Sequence, residues 1–173
     1  MVFISEMKDY LKRQVIIKIG ELYATDEPTV IYTLLGSCVA VCIYDIKNRI
    51  GGMNHIFLPG NNYKNDSSTR YGENAMKYLI KNICQLGGER KKLVAKAFGG
   101  GHVIPAISNK IGIGPKIVDF VINYLEKEKI EIVAHDFGGN KTRKVYFHTD
   151  TGMAYVKHLS QKNLSEQTLK MIK

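Results

Sequence analysis

The stretch from residue 29 to residue 58 reads TVIYTLLGSCVAVCIYDIKNRIGGMNHIFL and decides how the chain folds. Residues 30–35 have the composition of a strand. In residues 38–44 both alternating sets of side chains are apolar, which is typical of a strand buried on both faces. Residues 45–48 are polar enough for a turn, and residues 49–58 return as a strand that Pro59 and Gly60 end. The stretch therefore predicts a buried antiparallel hairpin.

Further elements flank this hairpin. Apolar runs predict strands at residues 14–19, 93–98 and 130–134, and a last hairpin from residues 145–147 and 153–156. Helical spacing predicts a helix over residues 71–86, and a second helix near Gly114 with Pro115 at its first position. Strands gather early and late in the chain instead of alternating with helices. The predicted fold class is α+β: a mixed, mostly antiparallel, sandwich-like β core with helices packed outside.

The length of 173 residues, with 45% hydrophobic and 24% charged residues, predicts one globular domain. We assign residues 1–158 to this domain and residues 159–173 to a polar C-terminal tail with a weak helical pattern. No apolar run approaches the roughly 18–20 residues of a membrane span. We therefore expect a soluble, cytoplasmic protein that does not insert into membranes, and we expect it to be a monomer.

The net charge of +9 is concentrated in residues 81–173, which carry 16 Lys and Arg against 8 Asp and Glu. Such a charge favours an acidic partner: a nucleic acid, an anionic membrane or an acidic protein surface. A nucleic-acid partner is not expected, because the sequence has no known binding motif and no interleaved aromatic residues on a basic face.

The three cysteines, Cys38, Cys42 and Cys84, are an odd number and form no CxxC pair. This pattern argues against a disulfide framework and against a zinc knuckle. A metal site of Cys38, Cys42 and His55 would lack a fourth ligand at recognisable spacing. We therefore expect no metal and no organic cofactor, and we interpret Cys42 and Cys84 as core residues.

Cys38 and His55 are the candidate catalytic pair. If residues 45–48 form the turn, Tyr44 pairs with Arg49 and Cys38 lies directly opposite His55, with Cβ atoms about 4.5–5.5 Å apart. A one-residue slip would put the two side chains on opposite faces. An adjacent imidazole can lower the thiol pKa from about 8.5 and so activate it. The commoner alternative is a core cysteine beside a histidine with its hydrogen bonds satisfied.

Residues around this pair could complete a catalytic site. A small-residue turn at Gly36 and Ser37 would leave backbone N–H groups free for an oxyanion, and Thr33 could orient the imidazole. Residues 99–101 are a weak candidate for a phosphate cradle. Residues 138–140, with Lys141 and Arg143, are a better candidate for an anion-facing loop, although a tight turn with solvated charges is the commoner explanation.

Several blocks of the sequence together resemble the chemoreceptor glutamine deamidases of the CheD family. They are Thr33 to Cys38 (TLLGSC), Gly52 to Pro59 (GMNHIFLP), Arg70-Tyr71 with Ala75-Met76, Ala95 to Gly100 (AKAFGG), Ile113-Gly114 and Asp136 to Arg143 (DFGGNKTR). The resemblance covers about residues 15–157. The sequence departs from the family pattern at residues 102–104, at Ile117 and at Glu73.

The resemblance implies an α+β deamidase domain similar to that of the cytotoxic necrotizing factor toxins. It implies a catalytic Cys38, His55 and Thr33, with Gly36, Ser37, Asn140 and Arg143 as candidates for oxyanion or substrate contacts. The implied reaction hydrolyses glutamine side chains on the cytoplasmic helices of methyl-accepting chemotaxis receptors, through a thioester. Some members also hydrolyse receptor methyl esters, and some bind a CheC-type phosphatase. The alternative is a non-catalytic adaptor that docks receptors or such a phosphatase.

Overall fold

The computed structural model of the protein describes residues 12–60, 66–103 and 112–159. The elements within them follow in this order: β1 (Arg13–Ile16), β2 (Leu22–Thr25), β3 (Thr29–Leu35), β4 (Val39–Asp45), β5 (Ile50–Ile56), α1 (Gly72–Gln85), a short 3-10 helix (Arg90–Lys92), β6 (Val94–Gly99), α2 (Ile113–Lys127), β7 (Glu131–Phe137), β8 (Thr142–His148) and β9 (Ala154–Leu159). No helix in these ranges is long and apolar enough to cross a membrane.

The strands form two sheets. One has four strands in the order β1-β3-β8-β9, and the other has five in the order β2-β5-β4-β6-β7. β1 pairs with β3 in parallel and β6 with β7 in parallel, whereas the remaining pairs of described strands are antiparallel. The α+β class with mixed, mostly antiparallel sheets is therefore confirmed.

Strand β4 lies at the centre of the molecule and is buried along its whole length. Val39, Val41 and Ile43 belong to the core cluster that includes both helices. Ala40 and Cys42 belong to the cluster that includes residues of the four-stranded sheet. Because alternate side chains of a strand point to opposite faces, the five-stranded sheet is the middle of three layers, with helices on one side and the four-stranded sheet on the other.

The register of the β4–β5 hairpin differs from the predicted one. Asp45 pairs with Ile50, so residues 46–49 form the turn, and His55 pairs with Ala40 instead of Cys38. The Asp45 carboxylate accepts backbone N–H groups of Lys47 and Asn48, which fixes Asp45 at the strand end. The shift amounts to two residues along one strand. It therefore leaves Cys38 and His55 on the same face, as diagonal neighbours.

Other boundaries also differ from the predictions. Strand β2 is missed by the sequence pattern because only four residues form it. Helix α2 begins at Ile113, which makes Pro115 its third residue. Strand β1 ends at Ile16, and β9 extends to Leu159. Residues 61–65 and residues 160–173 of the predicted tail lie outside the described residues, so the domain assignment stays a prediction.

Candidate active site

Three segments meet where the chain passes from one sheet to the other. Thr33 lies on the inward side of β3, Cys38 lies in the short connection between β3 and β4, and His55 lies near the end of β5. All three side chains are buried. Diagonal neighbours on antiparallel strands are roughly 7–8 Å apart at the Cα atoms and somewhat less at Cβ. Cys38 comes one residue before the Val39–Ile56 pair that ends the β4–β5 ladder, so its Cα atom is a diagonal neighbour of His55 of this kind.

The hydrogen bonds of Thr33 determine which ring nitrogen of His55 carries the proton. The Thr33 hydroxyl donates to the carbonyl oxygen of Ile17 at 2.7 Å, because a carbonyl can only accept. The hydroxyl oxygen therefore accepts from Nδ1 of His55, at 2.8 Å. A neutral imidazole has one ring proton, so Nε2 carries a lone pair. This atom is buried and has no hydrogen-bond partner among the described residues.

The backbone of His55 is also fixed. Its carbonyl oxygen accepts from the N–H of Gly20, and its N–H donates to the carbonyl of Glu21. Both partners lie in the segment between β1 and β2. Ring and backbone are thus held independently, which leaves the direction of Nε2 little freedom.

Burial keeps the candidate pair uncharged in the resting protein. It raises the pKa of the Cys38 thiol to about 11, although the backbone N–H of Cys38 itself counteracts this. It also lowers the pKa of His55 to about 4. The thiol pKa thus moves in the opposite direction from the one expected from an adjacent imidazole. At neutral pH the site contains a neutral thiol and a neutral imidazole whose Nε2 can act as a base.

The connection that contains Cys38 leaves backbone donors available. The carbonyls of Gly36 and Cys38 accept from the N–H groups of Gly101 and Gly100. By contrast, the N–H groups of Ser37 and Cys38 donate to no other residue of the described segments. N–H groups of this kind, next to a sulfur nucleophile, can stabilise a developing oxyanion.

The three glycines at residues 99–101 pack closely against this connection. Gly99 has φ +119°, and a Cβ atom added to it would lie 2.1 Å from the carbonyl oxygen of Cys38. A side chain is therefore excluded by both backbone conformation and space. The glycine run is explained by its close approach to residues 36–38, and it has no need of a bound phosphate.

Arg143 and Asn140 occupy different environments. The guanidinium of Arg143 is buried and donates to the Asp136 carboxylate at 3.0 Å and to the carbonyls of Gly138 and Lys141. Arg143 therefore holds the β7–β8 loop in shape. Asn140, in the same loop, is exposed. The loop in turn contacts the glycine run, since the N–H of Gly138 donates to the carbonyl of Gly99 at 2.9 Å.

Two exposed apolar side chains near the candidate site were missed by sequence reasoning. Phe57 follows His55 by two residues and is 39% exposed, and Ile19 precedes Gly20 and is 53% exposed. Ile19 is next to Gly20, whose N–H donates to the carbonyl of His55. Phe57 lies two residues after His55 in the chain. The signal available in the sequence is the alternation of β5, which puts residues 55 and 57 on one face.

The two other cysteines lie in different core clusters. Cys42 is fully buried in the core between the sheets, and Cys84 is half-buried on α1, so both occupy packing positions as expected. Across the described parts of the chain, no three His, Cys, Asp or Glu side chains are grouped as metal ligands.

The sequence model of the family described as "CheD chemotactic sensory transduction" matches residues 57–158. The chain is 44% identical over 144 residues to "Probable chemoreceptor glutamine deamidase CheD 1" of Shewanella oneidensis, which covers 81% of this chain and 69% of that protein. It is 39% identical over 148 residues to the protein of the same name from Anaeromyxobacter dehalogenans, which covers 86% of each.

A third relative, "Probable chemoreceptor glutamine deamidase CheD" of Vibrio cholerae, is 41% identical over 150 residues, which covers 81% of this chain. The chain spans 63% of the length of that relative, less than two thirds. The family match begins after His55. Each of the three relatives matches at least 81% of this chain. A match of that length includes Cys38 and His55 at whichever residue of this chain it begins.

Proposed function

The chain belongs to the CheD family of chemotaxis proteins, and from this premise we propose that it hydrolyses glutamine side chains of chemoreceptors to glutamate. Its relatives carry that activity in their names. The observation that carries the proposal is the hydrogen bond between Thr33 and His55, which leaves the lone pair of Nε2 without a partner on the face shared with Cys38. A nucleophile, a base and a residue that orients the base are the parts needed for acyl transfer through a covalent intermediate.

In the proposed first step the Cys38 sulfur attacks the carbonyl carbon of the glutamine side chain while Nε2 of His55 takes the thiol proton. The carbonyl oxygen becomes an oxyanion, for which the N–H groups of Ser37 and Cys38 are the candidate donors. When the tetrahedral intermediate collapses, His55 gives its proton to the departing nitrogen, which leaves as ammonia. A thioester to Cys38 remains.

In the second step a water molecule loses a proton to Nε2 of His55 and attacks the thioester carbon. The sulfur leaves and regains its proton from His55, which releases a glutamate side chain and restores the neutral pair. Every proton moves through one nitrogen, so the reaction needs no metal or organic cofactor. Burial raises the pKa of the Cys38 thiol. Such a thiol reacts best when its proton passes to His55 at the same time as the sulfur attacks the carbonyl carbon.

The same chemistry extends to methyl esters, since His55 can give its proton to the departing methoxy oxygen, which leaves as methanol, just as it gives it to the departing nitrogen of the amide. We therefore include receptor methylesterase activity in the proposal. We also propose that the protein binds a CheC-type phosphatase as a second partner, is cytoplasmic and is a monomer. The likeness to the deamidase domain of the cytotoxic necrotizing factors also belongs here. Within the site, Gly36 shapes the turn, and Asn140 is the exposed candidate for contact with substrate, in the loop that Arg143 holds.

A non-catalytic adaptor is the second candidate function. The burial of Cys38 favours it, because a thiol with a raised pKa is a poor nucleophile unless a base activates it. An adaptor would bind receptor helices without any dependence on Cys38. The two candidates therefore differ in one measurable property, the conversion of receptor glutamines.

The test is peptide-mapping mass spectrometry of a purified chemoreceptor cytoplasmic fragment after incubation with the protein. We expect specific glutamines to become glutamates with the unmodified protein and none to change with Cys38→Ala. Cys42→Ala is the matched control, because it removes a thiol four residues away on the same strand face. Deamidation that survives Cys38→Ala would refute the assigned nucleophile, and binding without any deamidation would establish the adaptor.

A further inference from the structure

The four-stranded sheet has an outer face that no described helix covers. Both helices pack against the five-stranded sheet instead. Cross-strand pairing puts Tyr32, Tyr146 and Tyr155 in one row of this sheet, and Leu34, Lys144 and Lys157 in the next. The alternate residues Thr33, Val145 and Val156 point inward. We call the six outward residues the tyrosine–lysine face.

The tyrosine–lysine face is organised around one charged side chain. The Tyr32 and Tyr146 rings stack with centroids 5.8 Å apart, and Nζ of Lys144 lies 5.0 Å from the centroid of each. Tyr155, in the next strand, is 49% exposed. Neither Lys144 nor Lys157 forms a salt bridge with a described carboxylate. The face thus presents two ammonium groups without a carboxylate partner among the described residues, set among aromatic rings. Aromatic side chains are enriched at protein interfaces, and a positive patch is complementary to an acidic partner.

The tyrosine–lysine face is close to the candidate active site. Leu34 follows Thr33 directly and precedes Cys38 by four residues, so its Cα atom lies at most roughly 14 Å from that of Cys38. A single helix with its side chains is about 10–12 Å wide. A bundle of helices that presents a side chain to Cys38 is therefore wide enough to contact the row of Leu34, Lys144 and Lys157 as well.

We propose that the tyrosine–lysine face is a docking surface for the acidic side of a helical bundle, namely the cytoplasmic helices of the receptor substrate. This inference rests on the proposed function, because the reaction produces glutamates on those same helices and so adds carboxylates to the surface presented. The net charge of +9 gives the complementary sign. Binding away from the reacting glutamine would raise affinity for an intact bundle without altering the chemistry at Cys38.

The test compares two charge-reversal pairs in the Cys38→Ala background, where binding can be measured without turnover. Lys144→Glu with Lys157→Glu changes the face, and Lys77→Glu with Lys81→Glu makes the same charge change on the exposed side of α1, in the helical layer. We expect the first pair to raise the dissociation constant for a receptor fragment about tenfold at low salt, and the control pair about twofold at most. The difference should shrink as salt screens the charges.

A second variant separates the aromatic part from the charge. Tyr155→Ala keeps both lysines and removes the most exposed ring, so we expect weaker binding at both low and high salt. Thermal unfolding of each variant, measured beside the parent protein, ensures that loss of binding is not loss of fold. With Cys38 restored, the lysine reversals should raise KM for the fragment.

Each other outcome overturns the inference in a distinct way. If the protein deamidates the fragment but the lysine reversals bind it like the parent, the docking surface is wrong and the proposed function stands. If the protein neither binds nor deamidates the fragment, both fail together. Lysine-dependent binding of a single-stranded oligonucleotide in place of the fragment would assign the face to nucleic acid. A dimer that the reversals dissociate would assign it to a second copy of this chain.

Discussion

The Thr33 hydroxyl does two things at once in this molecule. It donates to the Ile17 carbonyl and accepts from Nδ1 of His55, which connects β3 and β5 with the segment that follows β1 through a single oxygen atom. Because the hydroxyl proton is already donated to Ile17, the oxygen can only accept from His55, and the direction of the second hydrogen bond is determined. A small side chain thus sets the tautomer of the candidate base, in the way that a carboxylate does in other catalytic triads.

Replacement of Thr33 by valine tests this assignment. Thr33→Val keeps the shape but leaves His55 Nδ1 without its acceptor, so we expect kcat for deamidation to fall about 10- to 100-fold. We also expect a loss of about 1–3 kcal/mol of stability, because the buried polar groups are left unpaired. Thr33→Ser keeps the hydroxyl and should retain most of the activity. Equal activity of the serine and valine variants, both folded, would show that the hydroxyl does not orient His55.

The burial of His55 predicts a pH dependence of stability. The pKa of His55 is lowered from its ordinary value to about 4 in the folded protein, so the unfolded chain takes up a proton first as pH falls. Stability is therefore present above pH ~6.5 and is lost as pH drops toward 4, by about 2 kcal/mol between pH 7 and pH 5. Urea unfolding at these two pH values measures the change.

The matched variant for that measurement is His55→Asn, which cannot titrate in this range. Between pH 7 and pH 5 the free energy of unfolding should fall in both proteins, and the fall should be about 2 kcal/mol smaller in the variant than in the parent. The comparison is made within each protein, so a general destabilisation by the substitution cancels. Identical pH dependence in both proteins would mean that His55 is not held neutral by burial.

Among the elements, the glycine run after β6 determines how closely the Cys38 connection can lie to the sheet. Gly99→Ala would put a methyl group against the Cys38 carbonyl, whereas Gly138 has positive φ but no atom within 4 Å of the added Cβ. We expect Gly138→Ala to cost about 1 kcal/mol for its backbone conformation alone, and Gly99→Ala to cost more and to abolish deamidation. Equal effects of the two substitutions, in unfolding and in activity, would refute the close-packing argument.

The central hairpin shows how much of the fold the sequence predicts. The apolar alternation of residues 38–44 correctly indicates a strand buried on both faces. The turn was placed one residue early, because Arg49 adopts φ +57°, which few residues other than glycine and asparagine adopt. This error leaves Cys38 and His55 on one face, so the predicted pairing is wrong by two residues while the candidate site stays a prediction.

Other features could not be predicted from local patterns. Strand β2 has only four residues, and its place at the edge of the five-stranded sheet depends on pairing with β5. The sequence indicates Thr33 as a residue that could orient His55, but the local pattern does not show the stacking of two sheets that brings the two side chains within 2.8 Å. The direction of the Cys38 pKa depends on burial, which outweighs the neighbouring imidazole and is invisible in residue spacing.

At the scale of the whole molecule, the three layers give the protein two different outer surfaces, one formed by helices and one formed by a sheet face. The helices cover one face of the five-stranded sheet, the candidate active site lies at the end of the space between the sheets, and the tyrosine–lysine face forms the far side. A substrate that reaches Cys38 from the end of the sandwich can therefore use the outer sheet face without obstruction by the described helices. This arrangement suits a large, extended substrate better than a small free amide.

The account depends most on Cys38 as the one thiol that carries the reaction, and a single-cysteine protein tests this directly. In the Cys42→Ala, Cys84→Ala double variant, iodoacetamide can modify only Cys38, with a rate that rises at alkaline pH because burial raises the thiol pKa to about 11. Samples taken during the reaction are divided for mass spectrometry and for assay of deamidation on the receptor fragment. The account predicts that activity falls in direct proportion to the fraction of Cys38 alkylated and that bound fragment slows both. Full activity in a sample whose Cys38 is completely alkylated would contradict it.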